Sequence, residues 1–453
     1  MDVIAEIMEH VQDRLQLCSL MRTCRTLYSI GIPPLLRSPI KINSLQSLSS
    51  FQDFLFAEPL GSERRFGSVR CLHINTEIDS LGGDMLKTIL VRTTNLQGLS
   101  ILRSYSFFAL CLDAGKSMEN LSRLTDLTLV FIKPHNVLCL QGMKSPVSKL
   151  KFTMPFEFTE PKLFPILSQV FGNTLTELDI YGVHLSGTDA QFPRLRILKI
   201  DTRHAIPAVV LAHTFPGLKS LDIATFYPSS TYHMSTEATH QHALNKARLS
   251  SSRLPLPSLQ YLKASPTDLF YNAIIPRAEE FEVVELDLIN AEWLLELLKG
   301  IQPSILRLCF YHAAFSNLIL VTFLQTLLEE NPSITTLDLI VSCDAMDNDQ
   351  TQSFIDLFPD MVKGASLKSL HLLIRQFRLD WRENSCLRTL DIMNFIAKIS
   401  VKCPDTQNIT VALKPINMIP GETRFTKFVD IDKEFQETGK TFRELREDLA
   451  QET

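Results

Sequence analysis

Leu175-Thr176-Glu177-Leu178-Asp179-Ile180, Leu195-Arg196-Ile197-Leu198-Lys199-Ile200 and Leu218-Lys219-Ser220-Leu221-Asp222-Ile223 are three copies of one pattern, apolar-x-x-apolar-x-apolar. The alternation at its end puts two apolar side chains on one face of an extended segment and the residue between them on the other. A short strand of this kind, met again and again, predicts a parallel stack whose inner face must be covered.

Working outward, the same pattern starts at Val69, Leu96, Leu124 and Val147 on the N-terminal side, and at Leu259, Val283, Ile305, Ile334, Leu367 and Leu387 on the C-terminal side. A weaker copy falls at Ile409 and Val411. Of the twelve gaps between the thirteen clear starts, ten are 20 to 29 residues. Helical spacing fills several of the gaps, as in Leu294, Leu295, Leu297 and Leu298, or Leu320, Phe323, Leu324, Leu327 and Leu328. The expected fold class is therefore α/β, built by repeating strand, turn and helix into a solenoid. A doubly wound α/β domain fits less well, because thirteen strand motifs are too many for one open sheet and no Gly-rich turn follows the first.

One gap is longer. Residues 227–257, between the strands at Ile223 and Leu259, are rich in Ser, Thr, His and Pro and are expected to be an exposed loop or partly disordered insertion. The chain beyond about Gly421 is charge-rich, and its end, TFRELREDLAQET, suits a terminal cap or loose helix. Residues 2–37 read differently. Ile4, Ile7, Met8 and Val11 share one helix face, and Leu17, Leu20, Met21 and Cys24 repeat that spacing. Leu27 and Tyr28 carry the apolar run on, with Gly31 and Pro33-Pro34 expected to end it. Three short helices of this size bury little core alone and need a partner. The expected layout is a helical segment at 1–40, a linker or first cap at 41–66, a solenoid at 67–420 with its insertion, and a charged cap or tail at 421–453.

Composition narrows the function. With 45% hydrophobic and 21% charged residues the chain is an ordinary folded one. Its net charge of −5 lacks the basic footprint of a nucleic-acid partner. No long uncharged apolar run predicts a membrane span, and MDVIAEIMEH is not a signal peptide. The nine scattered cysteines include no C-x-x-C, which points to reduced thiols in cytoplasm or nucleus.

Catalytic and metal motifs are not found. Gly439-Lys440-Thr441 would need a glycine where Glu434 stands. His233, His240 and His242 sit in the polar insertion without a carboxylate or Cys set at ligand spacing. Asp347-Asn348-Asp349 lacks the glycine and closing Glu of a calcium loop. No cofactor, metal or catalytic residue is expected, and an enzyme built from loops has only that absence to weigh against it.

In the stretch 66–415 the repeats resemble the leucine-rich-repeat family. Where that family places a capping Asn or Cys, this chain has Ser104, Ile132, Val183 or Arg203, so an irregular horseshoe is implied. The N-terminus resembles the F-box family, through DVIAEIMEHV, then LQLCSLMRTCRTLY, then IPPLLRSPIKI leading into a strand. Met1-Asp2 stands where that family usually has Leu-Pro, and Leu27 or Tyr28 where it often has Trp. The resemblance implies a partner, the Skp-type adaptor of an SCF-type cullin-RING ubiquitin ligase. Carried onto this sequence, the adaptor contacts would be Ile4, Ile7, Met8, Val11, Leu17, Leu20, Met21 and Leu27, or these residues would in part only hold the three helices together.

A target protein would then lie on the concave face, lined by the residue between the last two apolar positions of each motif. In order these are His73, Ser100, Thr128, Lys151, Asp179, Lys199, Asp222, Lys263, Asp287, Cys309, Asp338, His371 and Asp391, with Glu285 beside Asp287. Asp179, Asp222, Lys263, Asp287, Asp338 and Asp391 are the candidate target contacts, and their acidic balance suits a basic target; a solvated strand face with ordinary charges is the plainer reading. The alternative function is a leucine-rich-repeat interaction scaffold unconnected to ubiquitination, its N-terminal helices merely capping the solenoid.

Overall fold

The computed structural model describes residues 2–11, 13–57, 62–110, 114–154, 163–183, 185, 190–202, 206–225, 236–252, 254–284, 286, 290–310, 317–343, 348–376, 387, 390–415 and 427–429. They fall into two compact units, the first essentially Met1–Ile206 with Val210–Leu218, the second mainly Lys219–Ala224 and Pro228–Thr453.

The first unit opens with α1 (Asp2–His10), α2 (Arg14–Met21) and α3 (Arg25–Arg37). Asp13 caps α2 by accepting from the Leu15 amide, and Cys24 caps α3 by accepting from the Leu27 amide. The expected stop at Gly31 and Pro33-Pro34 is corrected: α3 runs through all three to Arg37. Proline removes ladder hydrogen bonds, but packing here outweighs that loss. Gly31 is buried, and a Cβ on it would lie 2.7 Å from the Met8 methyl and 2.7 Å from the Met21 sulfur. The missing side chain is what lets α1 and α2 close onto α3.

Strands β1 (Ile40–Ile42), β2 (Cys71–Ile74), β3 (Gly98–Ile101), β4 (Asp126–Val130), β5 (Lys149–Thr153), β6 (Glu177–Tyr181) and β7 (Ile197–Thr202) then pair in chain order, all parallel. The stack thus begins inside the segment expected to be a linker or cap. Leu72, Leu99, Leu127, Leu150, Leu178 and Leu198 stand in register and are at most 2% exposed. Helices Leu45–Phe56, Ser80–Arg92 and Ala114–Glu119, a 3-10 turn at Pro134–Leu140 and helix Leu163–Phe171 pack neighbour to neighbour as one layer.

In the second unit β8 (Ser220–Thr225), β9 (Leu259–Ala264), β10 (Ala278–Val283), β11 (Ile305–Phe310), β12 (Thr336–Ser342), β13 (Ser369–Gln376) and β14 (Asn408–Pro415) are again parallel and in chain order. Of the segment expected as a cap at 421–453, the described part is β15 (Lys427–Val429), antiparallel to β14; the rest lies outside the described residues. Helices Thr236–Ser252, Pro266–Asn272, Ala291–Ile301, Asn317–Glu330, Asn348–Met361 and Ile392–Lys402 form the covering layer. Each unit is an α/β, solenoid-like stack.

Three expectations about the second unit are corrected. Residues 236–252 of the insertion are a helix, not a loop; residues 226–235 and 253 lie outside the described residues. That helix hides from an apolar-period reading because, among its described side chains, the buried ones are His242 and Asn245. The motif from Val283 is displaced: the strand is Ala278-x-x-Phe281-x-Val283, since Phe281 and Val283 are the partners of Leu306 and Leu308. Leu387-Leu390-Ile392 is not a strand. Asp391 is the N-cap of helix Ile392–Lys402 and accepts from the Asn394 amide, while the weaker copy at Ile409 and Val411 forms β14.

Candidate interaction surfaces

The apolar residues of α1–α3 divide cleanly. Met8, Leu17 and Met21 are buried at 1%, 2% and 6% exposure and close the interior of the three helices. Val11 and Leu27 are half-buried. Ile4, Ile7 and Leu20 are exposed, Ile7 by 56%. Sequence reasoning missed Leu15, exposed by 78%, and passed over Tyr28, exposed by 40%, as a contact. The available signal was their position off the inward stripe, where a short soluble helix would ordinarily carry a polar residue. Arg37 on α3 pairs with Glu9 on α1 at 2.7 Å, fixing the first helix at its last turn.

The outward face of the strands carries rows of charge. In the first unit one row runs Thr128, Lys151, Asp179, Lys199 across β4–β7, and a second runs Asp126, Lys149, Glu177. Lys151 Nζ lies 2.7 Å from Asp179 Oδ2, and Lys149 Nζ lies 3.5 Å from Glu177. In the second unit the register brings Asp222, Lys263, Glu282, Arg307, Asp338 and His371 into one row across β8–β13. Signs alternate along it from Asp222 to Asp338. Lys263 is 3.0 Å from Glu282, while Arg307 is 2.6 Å from Glu280 and 2.8 Å from Asp338.

The expected lining is corrected at three places. Cys309 shares the face of Arg307 on β11 but is buried, 4% exposed, and stands beside Ile340; Arg307 takes the row position beside Asp338. Asp391 serves as a helix cap and lies on no strand. Asp287 and Glu285 lie outside the described residues, and Glu282 occupies the row position on β10. Glu282 and Arg307 were therefore missed, although Phe281-x-Val283 and Leu306-x-Leu308 fit the repeat pattern equally well.

Glu282 is the best-held member of the row. Tyr261 donates its hydroxyl to Glu282 at 2.7 Å, and Lys263 grips the other carboxylate oxygen. Burial pushes the Glu282 carboxyl up, but hydrogen bonds from Tyr261 and Lys263, with the charges of Lys263 and Arg307, hold it below the usual carboxylate range. Tyr261 moves the other way: burial raises its phenol, and the bond to Glu282 and the surrounding carboxylates raise it further. Arg307 is raised first by its hydrogen bond to Asp338. The row thus presents alternating paired charge. Asp179 and Asp338 already hold a basic neighbour, so the acidic balance counted from sequence is largely neutralised within the fold.

No group of three or more His, Cys, Asp or Glu side chains is arranged to hold a metal among the described residues. His242 is buried and bonded to the backbone, and His233 lies outside the described residues. No described helix is long and apolar enough to cross a membrane. Compared with protein-family models and with curated proteins, the chain matches none.

Proposed function

We propose that this chain is the substrate-recognition subunit of an SCF-type cullin-RING ubiquitin ligase, acting in cytoplasm or nucleus. In this reading α1–α3 are an F-box that docks on a Skp-type adaptor, and the strand stacks are an irregular leucine-rich-repeat solenoid that holds a target protein. The observation that carries it is the apolar side chains left in solvent on α1–α3, namely Ile4, Ile7, Leu15, Leu20 and Tyr28. A three-helix segment already closed by Met8, Leu17 and Met21 gains nothing in stability from these, whereas a helical partner with an apolar groove would cover them. The mechanism is tethering. The N-terminal helices fix the chain to the ligase, the outward strand rows hold the target, and the gain is effective concentration rather than bond chemistry by this chain.

The second reading, an interaction scaffold outside ubiquitination, draws on the buried half of the same set. Met8, Leu17 and Met21 serve the helices' own core, which a capping role explains equally well. Co-elution of the full chain with a purified Skp-type adaptor in gel filtration separates the two. The expected result is a stable complex, lost in an Ile7→Asp/Leu20→Asp variant that keeps its circular dichroism. A folded chain that never co-elutes would favour the scaffold.

A further inference from the structure

Helix Thr236–Ser252 is attached to the second unit unlike the helices beside it. Helix Ala291–Ile301 buries Leu294, Leu297, Leu298 and Ile301, each at 0% exposure. Helix Thr236–Ser252 buries His242 and Asn245, while Leu244 is 39% exposed and Leu249 half-buried. Its attachment is polar and aromatic. The His242 imidazole bonds through Nδ1 to the Phe270 carbonyl at 2.6 Å, and Asn245 donates to the Tyr271 carbonyl at 2.9 Å. These acceptors lie in the last turn of helix Pro266–Asn272, and the Phe270 carbonyl also accepts from the Ala273 amide at 3.1 Å. The His242 ring also stacks on Phe270, centroids 4.2 Å apart and planes within 8°, and Phe270 stacks on Trp293 at 4.4 Å and 6°.

We propose that helix Thr236–Ser252 is a detachable cover, which lifts from Phe270 while the strands and the other helices of the unit stay folded. Apolar burial is the dominant glue between packed helices, and this helix contributes little of it among its described residues. Its polar bonds can be exchanged for water, so opening forfeits only their modest net worth. Lifting uncovers the face of Phe270, now 5% exposed, and releases the two carbonyls from His242 and Asn245. What is uncovered is a flat aromatic surface beside two acceptors, suited to a partner's planar N–H donor such as an imidazole or guanidinium. The inference does not depend on the ligase reading.

Native-state hydrogen exchange of the full chain, read by mass spectrometry, tests this. Peptides within 236–252 should exchange at least about 100-fold faster than those of 291–301, yet about 10-fold or more slower than an unstructured chain, as subglobal opening requires. His242→Ala should speed exchange in 236–252 by about tenfold, the loss of one buried hydrogen bond and its stack, and leave 291–301 unchanged. Trypsin should cut the native chain at exposed Lys246 or Arg248 before any site in 291–301. Equal protection in the two helices would overturn the proposal, because the cover would then open only on global unfolding. Absence of any protection in 236–252 would also overturn it, because no docked helix would be there to lift.

Discussion

Replacing Arg307 with alanine should weaken the second unit by removing the cation that joins β10 to β12. Arg307 lies 2.6 Å from Glu280, 3.9 Å from Glu282 and 2.8 Å from Asp338, on carboxylates whose side chains are only 20–23% exposed. Hydrogen bonds to charged groups contribute about 1.5–3 kcal/mol, and exposed ion pairs about 0.2–1 kcal/mol. The Arg307 side chain is itself 40% exposed, so solvent screening discounts the upper figure. We expect a loss of about 1–2 kcal/mol near neutral pH. The pH dependence has a definite sign. Glu282 has a folded pKa below its unfolded one, so its stabilisation is present above about pH 4.3 and lost as pH falls through the folded value. Without Arg307 that pKa moves back up, and the penalty of Arg307→Ala should shrink once the carboxylates protonate. Urea unfolding followed by tryptophan fluorescence suits the measurement, because both tryptophans of the chain, Trp293 and Trp381, fall in the second unit. A penalty under about 0.3 kcal/mol, the size of a weak exposed pair, or one unchanged from pH 7 down to about pH 2, well below ordinary carboxylate values, would refute the reasoning and leave the row a solvated strand face.

Other substitutions test other parts of the structure. Ile7→Asp should change stability by less than about 0.5 kcal/mol in denaturant unfolding, whereas Met21→Ala, which empties a site against Gly31, should cost about 2 kcal/mol or more. Gly182→Ala should destabilise the first unit by about 1–3 kcal/mol on thermal unfolding, because Gly182 has φ +77 and an added Cβ would press on the Met154 carbonyl. Burial pushes the Cys403 thiol up to about 12, so at pH 8 iodoacetamide should label exposed Cys24 and leave Cys403 untouched in the native chain.

The repeat was legible in the sequence because burial on one face of a strand imposes a period of two, and Leu72, Leu99, Leu127, Leu150, Leu178 and Leu198 each obey it. Where two overlapping windows satisfied the same pattern, sequence alone had no means of choosing. Val283 fits both as a first and as a third apolar position, and only its pairing with Leu308 decides. Ile305 and Phe310 misled in the same way, so Arg307 was overlooked and Cys309 put in its place. Helix Thr236–Ser252 escaped for a different reason. Its inward side chains, His242 and Asn245, are polar and bond to backbone carbonyls, and no hydrophobic period records that. At the N-terminus the spacing of Met8, Leu17 and Met21 marked a helical core, but the same spacing holds Ile4, Ile7 and Leu20, which face solvent. A stripe shows that residues share a face; which part of it is covered from within depends on the small residue opposite, here Gly31.

Calorimetric titration of the full chain with a purified Skp-type adaptor addresses the proposed function most directly. The ligase reading predicts saturable one-to-one binding, weakened at least about 100-fold by Ile7→Asp/Leu20→Asp, as loss of central apolar anchors would do, with the variant's fold intact. A folded chain that releases no heat and forms no complex, or a variant that binds as tightly as the native chain, would contradict it.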